Sequence, residues 1–236
     1  MKNEIQILST RPLSQEMMNA ATDSGLHTDV LSFIETTAIE TEELQQEVKH
    51  TFLLNTTVVF TSMNAVDAVA SYLSEAQPNW QIYCIGYTTQ QLVKKYFVQS
   101  QILGVADNAT LLAQKIIADG KVTKVFFFCG NQRRDEMSLL LRAASVVVSE
   151  VVVYETTPVQ QVVKKSYDAI LFFSPSAVDS FFSVNTLKKE TLFFAIGTST
   201  AAAIEQYSSG KIIIAKQPGK EALMQQAIDF FLKRSS

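Results

Sequence analysis

Short, continuously apolar runs alternate along this chain with stretches whose apolar residues recur at helical spacing. The runs over 57–60, 82–85, 125–128, 169–173, 192–196 and 211–215 predict strands, as does a first segment over 4–9. Runs such as Val125-Phe-Phe-Phe128 are apolar at every position, as a strand covered on both faces requires. Helical spacing predicts helices over 14–24, 41–49, 64–74, 90–97, 109–118, up to about 144, and over 159–165, 177–184, 200–207 and 220–233. Gly25 reads as the residue closing the first of these. Two β-branched segments, 28–37 and 146–157, stand outside the rhythm and read as extended.

Strands alternating with helices imply an α/β fold with parallel sheets. The chain also repeats itself. Phe60-Thr-Ser-Met-Asn-Ala-Val66 is followed by Ile85-Gly-Tyr-Thr-Thr89, and Phe173-Ser-Pro-Ser-Ala-Val178 by Ile196-Gly-Thr-Ser-Thr200. The gaps nearly match, with Gly86 lying 26 positions beyond Phe60 and Gly197 lying 24 beyond Phe173. Such duplication predicts two similar lobes. No Pro/Gly/Ser-rich linker divides them, so the two β-branched segments are read as paired crossovers, one outgoing and one returning. The first lobe is then discontinuous, 1–33 plus 156–236, and the second is an insertion over 37–152, with connectors at about 34–36 and 153–155.

Composition changes the picture in three ways. A hydrophobic content of 47% with 18% charged residues fits a packed protein and argues against disorder. The net charge of −3 supplies no global field to attract nucleic acid, so an anionic ligand would need local donors. Cys84 and Cys129 fall inside apolar runs and match no metal or redox spacing, which reads as two buried thiols. No apolar run approaches the length of a membrane span, and Glu4 interrupts any apolar leader, so a cytoplasmic protein is expected.

The candidate chemistry sits where strands end. In parallel α/β sheets ligands bind beyond the carboxyl ends of the strands, against helix N-termini that offer unpaired N–H groups and a partial positive charge. Thr61, Ser62 and Asn64 occupy such a place, as do Thr88 with Thr89, Gly130 with Asn131, Ser174 with Ser176, and Ser199 with Thr200. Each hydroxyl could equally be a helix cap. Among the paired basic residues, Lys94-Lys95, Lys164-Lys165 and Lys188-Lys189 read as solvated helix faces. Arg133-Arg134 differ, because they follow Gly130-Asn131 at a strand end, where one of them could reach a carboxylate. Tyr154 ends a run of valines in the returning crossover. It could be a half-buried strand tyrosine or a phenol that donates a proton to a leaving hydroxyl. Dinucleotide, P-loop, serine-hydrolase and metal-ligand signatures are missing, and neither His27 nor His50 stands near a strand-end nucleophile. A reaction without metal or cofactor is therefore expected.

These pieces, in this order, resemble the uroporphyrinogen-III synthase family. The matching segments are Phe60-Thr-Ser-x-Asn-Ala-Val66, Ile85-Gly86 with Thr89, Asp107-Asn-Ala109 with Leu111, Phe128-Cys-Gly-Asn131 with Arg134, and Val153-Tyr-Glu-Thr156. Phe172-Phe-Ser-Pro-Ser176, Ile196-Gly-x-Ser-Thr200 and Pro218 with Glu221-Ala-Leu223 complete the series. The resemblance implies two flavodoxin-like lobes joined by a two-stranded connector. It implies a cofactor-free lyase that cyclises the linear tetrapyrrole hydroxymethylbilane, inverting ring D, to uroporphyrinogen III and water. It makes Tyr154 the group that assists hydroxyl departure, and it lines the substrate site with Thr61, Ser62, Thr89, Asn131, Ser174, Ser176, Ser199 and Thr200. Asn64, Gly130 and Arg134 join that set from their strand-end positions. A monomer is expected, with no more than transient contact to the enzyme preceding it in the pathway. The residues alone leave a second reading open, a non-catalytic two-lobe binding protein for a small anion. The chain departs from the family at Met63, at Ser199 and at Gly219-Lys220 after Pro218.

Overall fold

The computed structural model describes residues 4–74, 77–187, 191–217 and 219–235; Lys188, Lys189 and Pro218 lie outside the described residues. By internal contacts the chain divides into two units, 1–35 with 157–236, and 36–156. The elements follow in chain order. The first unit opens with β1 (Ile5–Ser9), α1 (Gln15–Asp23) and β2 (Leu26–Val30). Then come β3 (Ile34–Ala38), α2 (Glu42–Phe52), β4 (Thr57–Phe60), α3 (Met63–Ala70), β5 (Gln81–Ile85), α4 (Tyr87–Tyr96), β6 (Gln101–Ala106), α5 (Ala109–Asp119), β7 (Lys124–Gly130), α6 (Glu136–Ala143) and β8 (Val147–Pro158). The first unit resumes with β9 (Ala169–Phe172), α7 (Pro175–Val184), β10 (Leu192–Ala195), α8 (Thr198–Glu205), β11 (Ile212–Ile214) and α9 (Lys220–Ser235).

The sequence dictates where several helices begin. Ser14, Thr41, Ser62, Asn108 and Ser174 sit in extended backbone and accept a hydrogen bond from an N–H of the first turn, which satisfies one of the donors a helix start leaves free. Pro175 follows Ser174 at a position where its missing N–H costs nothing. Each such cap contributes about 1 kcal/mol.

One unit holds a five-stranded sheet in the order β11-β10-β9-β1-β2, and the other a six-stranded sheet in the order β3-β8-β7-β4-β5-β6. The pairs β1–β2, β1–β9, β9–β10 and β10–β11 in one sheet, and β4–β5, β5–β6, β4–β7 and β7–β8 in the other, are parallel. The exception is β3 against β8. Ile39 N–H donates to Val153 C=O and Val159 N–H to Phe33 C=O, so partner numbers fall as chain numbers rise, and the pair is antiparallel. These are the two segments in which the chain passes from one unit to the other and back.

Alternation across the pleat gives each sheet two cores. Val58 and Phe60 enter one with α2, α3 and α4, whereas Val59 enters the opposite one with α5 and α6. In the other unit Ile7 packs with α1 and α9, and Leu8 with α7 and α8. Trp80 anchors the first of these cores. It is fully buried against Phe52, Phe97 and Phe128, with its indole N–H bonded to Thr51 C=O at 2.9 Å. Cys84 and Cys129 are buried and free, and burial pushes their thiols up to about 11 and about 12. No described helix is long and apolar enough to cross a membrane.

The structure corrects the sequence reading at four places. Residues 159–165 form no helix. Instead Val159 and Gln161 bond back to Phe33 and Ser32, and Val163 N–H to Asn185 Oδ1. Strand β6 was not expected, because its sequence Gln-Ile-Leu-Gly-Val-Ala carries neither strict alternation nor a solid apolar run. Helices α4 and α8 begin at Tyr87 and Thr198, three and two residues before the predicted 90 and 200, so Thr89 and Thr200 lie inside the first turn. Finally, α6 starts only at Glu136, so Gly130 and Asn131 end a strand and lead into a turn, not directly into a helix.

Candidate functional site

Both sheets have a point where the order of connection reverses. In the six-stranded sheet the chain runs outward from β4 through β5 to β6, then returns to the other side of β4 as β7. Helix α3, which follows β4, packs on one face, and α6, which follows β7, on the other. The loops leaving β4 and β7 therefore diverge and open a crevice at the carboxyl ends of the strands, where open α/β sheets bind ligands. The five-stranded sheet does the same at β1 and β9, whose following helices α1 and α7 lie on opposite faces. Each unit thus carries one crevice of this kind.

In the six-stranded unit, Thr61, Ser62 and Asn64 form one wall. Ser62 caps α3 through Asn64 N–H at 3.2 Å, and all three residues are half-buried. Gly130, Asn131 and Tyr154 form the other. Strand β8 bulges here: Cys129 pairs with Val152 but Gly130 with Tyr154, and Val153 is left over. A regular pleat sends neighbouring side chains to opposite faces. The extra residue cancels that alternation, so the fully buried Val153 and the half-buried Tyr154 pack against the same core. The phenol ring lies directly over Gly130. A Cβ there would stand 2.4 Å from Tyr154 Cζ, so only glycine leaves room.

Asn131 fastens the segment around Tyr154. Its backbone N–H donates to Tyr154 C=O at 3.1 Å, and its Oδ1 accepts from Thr156 N–H at 2.9 Å. Its Nδ2 and Gln132 Nε2 donate to Thr156 C=O at 3.5 and 3.0 Å. The amide expected to face a ligand is thus spent on the chain itself. Burial raises the Tyr154 pKa above the ordinary phenol value, with a hydrogen bond to Ser62 acting against it, so the group stays protonated at neutral pH.

The two arginines part company. Arg133 donates through Nε to Glu150 at 2.9 Å and also through Nη2, and Arg142 reaches the same carboxylate at 3.1 Å. Arg134 is exposed and forms no ion pair among the described residues. Thr89 is buried within the first turn of α4. Gly86, just before that helix, holds φ +80°, a conformation that favours glycine. The matching Gly197 has φ −172°, so the repeated Ile-Gly pair is not repeated as backbone.

In the five-stranded unit, Ser174 caps α7 through Ala177 N–H at 3.2 Å, with Ser176 half-buried in the first turn beside it. Ser199 is half-buried in the first turn of α8, and Thr200 is buried. On the facing side of the crevice stand Thr10, whose Oγ1 donates to Leu171 C=O at 2.9 Å, and Arg11, which is exposed. The sequence reading did not single out Arg11. Recognising that β1 occupies the place of β7 in the repeat would have found it.

The family model described as uroporphyrinogen-III synthase HemD matches residues 15–225. No curated protein matches the chain. Among solved structures, a mutant uroporphyrinogen III synthase from the extremely thermophilic bacterium Thermus thermophilus superposes with a TM-score of 0.71 at 12% identity, over 98% of this chain and 99% of that one. The uroporphyrinogen-III synthetase from Helicobacter pylori gives 0.69 at 16% identity, over 96% and 99%. At such identities the structures attest the fold, two parallel α/β sheets. The family match spans nearly the whole chain, and with it the chain belongs to the uroporphyrinogen-III synthase family.

Proposed function

We propose that this chain cyclises hydroxymethylbilane, with inversion of ring D, to uroporphyrinogen III and water in tetrapyrrole biosynthesis. The observation that carries the reading is the protonated, half-buried phenol of Tyr154 at the crevice between β4 and β7, in a chain whose family performs this reaction. As the ring-A hydroxyl leaves, the Tyr154 hydroxyl donates a proton to it, the carbon–oxygen bond breaks, and water departs. Ring D then attacks the resulting azafulvene through a spiro intermediate. Closure releases a proton that restores the phenol.

The remaining residues hold the polyanionic substrate. Helix starts at α3, α4, α7 and α8 offer unpaired N–H groups to its carboxylates. Thr61, Ser62, Asn64, Ser174, Ser176 and Ser199 add hydroxyl and amide donors, and the exposed guanidiniums of Arg134 and Arg11 add charge. Thr89 and Thr200, being buried, shape the first turns of α4 and α8. The same reading has the enzyme acting as a cytoplasmic monomer, with transient contact to the enzyme that supplies its substrate. An anion-binding protein without catalysis is not favoured, because the family is one of enzymes.

The test is product analysis. Hydroxymethylbilane closes to the type I isomer without help, so the protein should divert it to type III. Type I product alone, at the rate seen in buffer, rejects the proposal.

A further inference from the structure

We infer that Gly130 and Asn131 are positioning residues that fix the phenol of Tyr154, not residues that bind substrate. The inference rests on the catalytic reading of Tyr154 given above. Three observations carry it. The ring of Tyr154 occupies the space where a side chain at position 130 would be. Both ends of the Asn131 amide are bonded to the backbone of Thr156, two residues beyond Tyr154. The bulge that turns Tyr154 onto its face lies at the same point, between Cys129 and Gly130 on one strand and across Val153 on the other.

The molecule contains its own control. At β5 and β6 the same device recurs: the pairing shifts between Ile82 and Tyr83, and the ring of Tyr83 lies over Gly104, where a Cβ would stand 2.7 Å from Cδ1. There the hydroxyl is tied to Asp119, and burial followed by that hydrogen bond raises its pKa strongly. Tyr83 is therefore held at its hydroxyl and serves the fold. Tyr154 is held by its ring and its backbone, and its hydroxyl is hydrogen-bonded to Ser62, a contact that lowers its pKa, where Tyr83 meets a carboxylate that raises it, so its proton is the easier one to give to substrate. A donor placed by the backbone keeps its geometry while its proton leaves, and a displacement of about 1 Å at such a group can cost on the order of a hundredfold in rate.

The experiment is a double-mutant cycle between Asn131→Ala and Tyr154→Phe, read as kcat and KM for type III product, with thermal unfolding of each variant alongside. Tyr154→Phe should lower kcat by on the order of a hundredfold. Asn131→Ala alone should lower kcat by roughly tenfold with KM changed less than about twofold, and should cause no further fall once Tyr154 is phenylalanine. Asn131→Asp, which keeps the acceptor for Thr156 N–H, should recover most of the lost kcat, and it carries the cycle if the alanine variant does not fold. Equal losses in both backgrounds, or a raised KM at unchanged kcat, overturn the inference and make Asn131 structural or a substrate contact. Wild-type kcat in Tyr154→Phe overturns the catalytic tyrosine and the inference with it, whereas failure of the parent enzyme to yield any type III product rejects the function itself.

Discussion

Glu150 is the charge on which the β7–β8 edge depends, and replacing it by glutamine should reveal a pH-dependent share of the stability. Its side chain is 13% exposed and accepts from Arg133 through two nitrogens and from Arg142 at 3.1 Å. Burial pushes the carboxyl upward, but the Ser138 side chain, the Arg133 hydrogen bonds and the two guanidinium charges outweigh it, so its pKa falls below the ordinary value of 4.5. A charge-assisted hydrogen bond is worth about 1.5–3 kcal/mol. The contacts share one carboxylate and Arg142 is half exposed, so the loss in Glu150→Gln should be about 2 kcal/mol in total. The unit of residues 36–156 should then melt roughly 8 °C lower, at about 4 °C per kcal/mol for a unit of this size. The sign of the pH effect follows from the lowered pKa. Between the folded value and 4.5 the unfolded chain binds more protons, so stability rises with pH. The contribution is complete above about pH 4.5 and disappears as pH falls through the folded value. Urea unfolding at a series of pH values should show parent and variant separated at neutral pH and converging in acid. A separation that stays constant with pH, or none at pH 7, refutes the reasoning.

Further outcomes follow from the same structure. Gly130→Ala puts a Cβ 2.4 Å from the Tyr154 ring, and reaching ordinary contact at 3.4 Å moves the ring about 1 Å; kcat should fall by up to about a hundredfold, the loss expected for Tyr154→Phe, and should fall little further in the double variant with Tyr154→Phe, while overpacking lowers stability by roughly 1–3 kcal/mol, as paired kinetic and unfolding measurements would record. Arg11→Gln should raise KM while leaving kcat near that of the parent, and should flatten the dependence of KM on salt concentration. Trp80→Ala should cost about 3–5 kcal/mol in denaturant unfolding without altering the proportion of type III product at temperatures where the variant is folded. Because burial raises the Tyr154 pKa, a kcat profile should show no loss from phenol ionisation up to about pH 10; a basic limb centred near 8 that vanishes in Tyr154→Phe would contradict the environment described for it.

Much of this architecture was legible in the order of residues. Solid apolar runs such as Val125–Phe128, short and rich in aromatic residues, read as strands covered on both faces, and Ser62 and Ser174 mark helix starts through chemistry that acts within three residues. The repeat of Phe60–Val66 in Phe173–Val178 announced two similar halves, because duplicated sequence folds into duplicated units. Local signals failed where tertiary pairing overrides them. Strand β6 exists because β5 offers it a ladder, and the weak helical pattern at 159–165 yields to hydrogen bonds from residues far away in sequence. The site itself was half readable. That Thr61, Ser62, Asn131 and Tyr154 belong together follows from strands ending side by side, which the motifs suggested. Which way each faces and what it bonds were decided by tertiary structure alone. A one-residue bulge set the face of Tyr154, its ring claimed the space above Gly130, and Thr156 took the amide of Asn131. Period and capping are properties of neighbouring residues, whereas facing, vacancy and hydrogen-bond partnership depend on two strands meeting in one register, so only the folded chain could settle them.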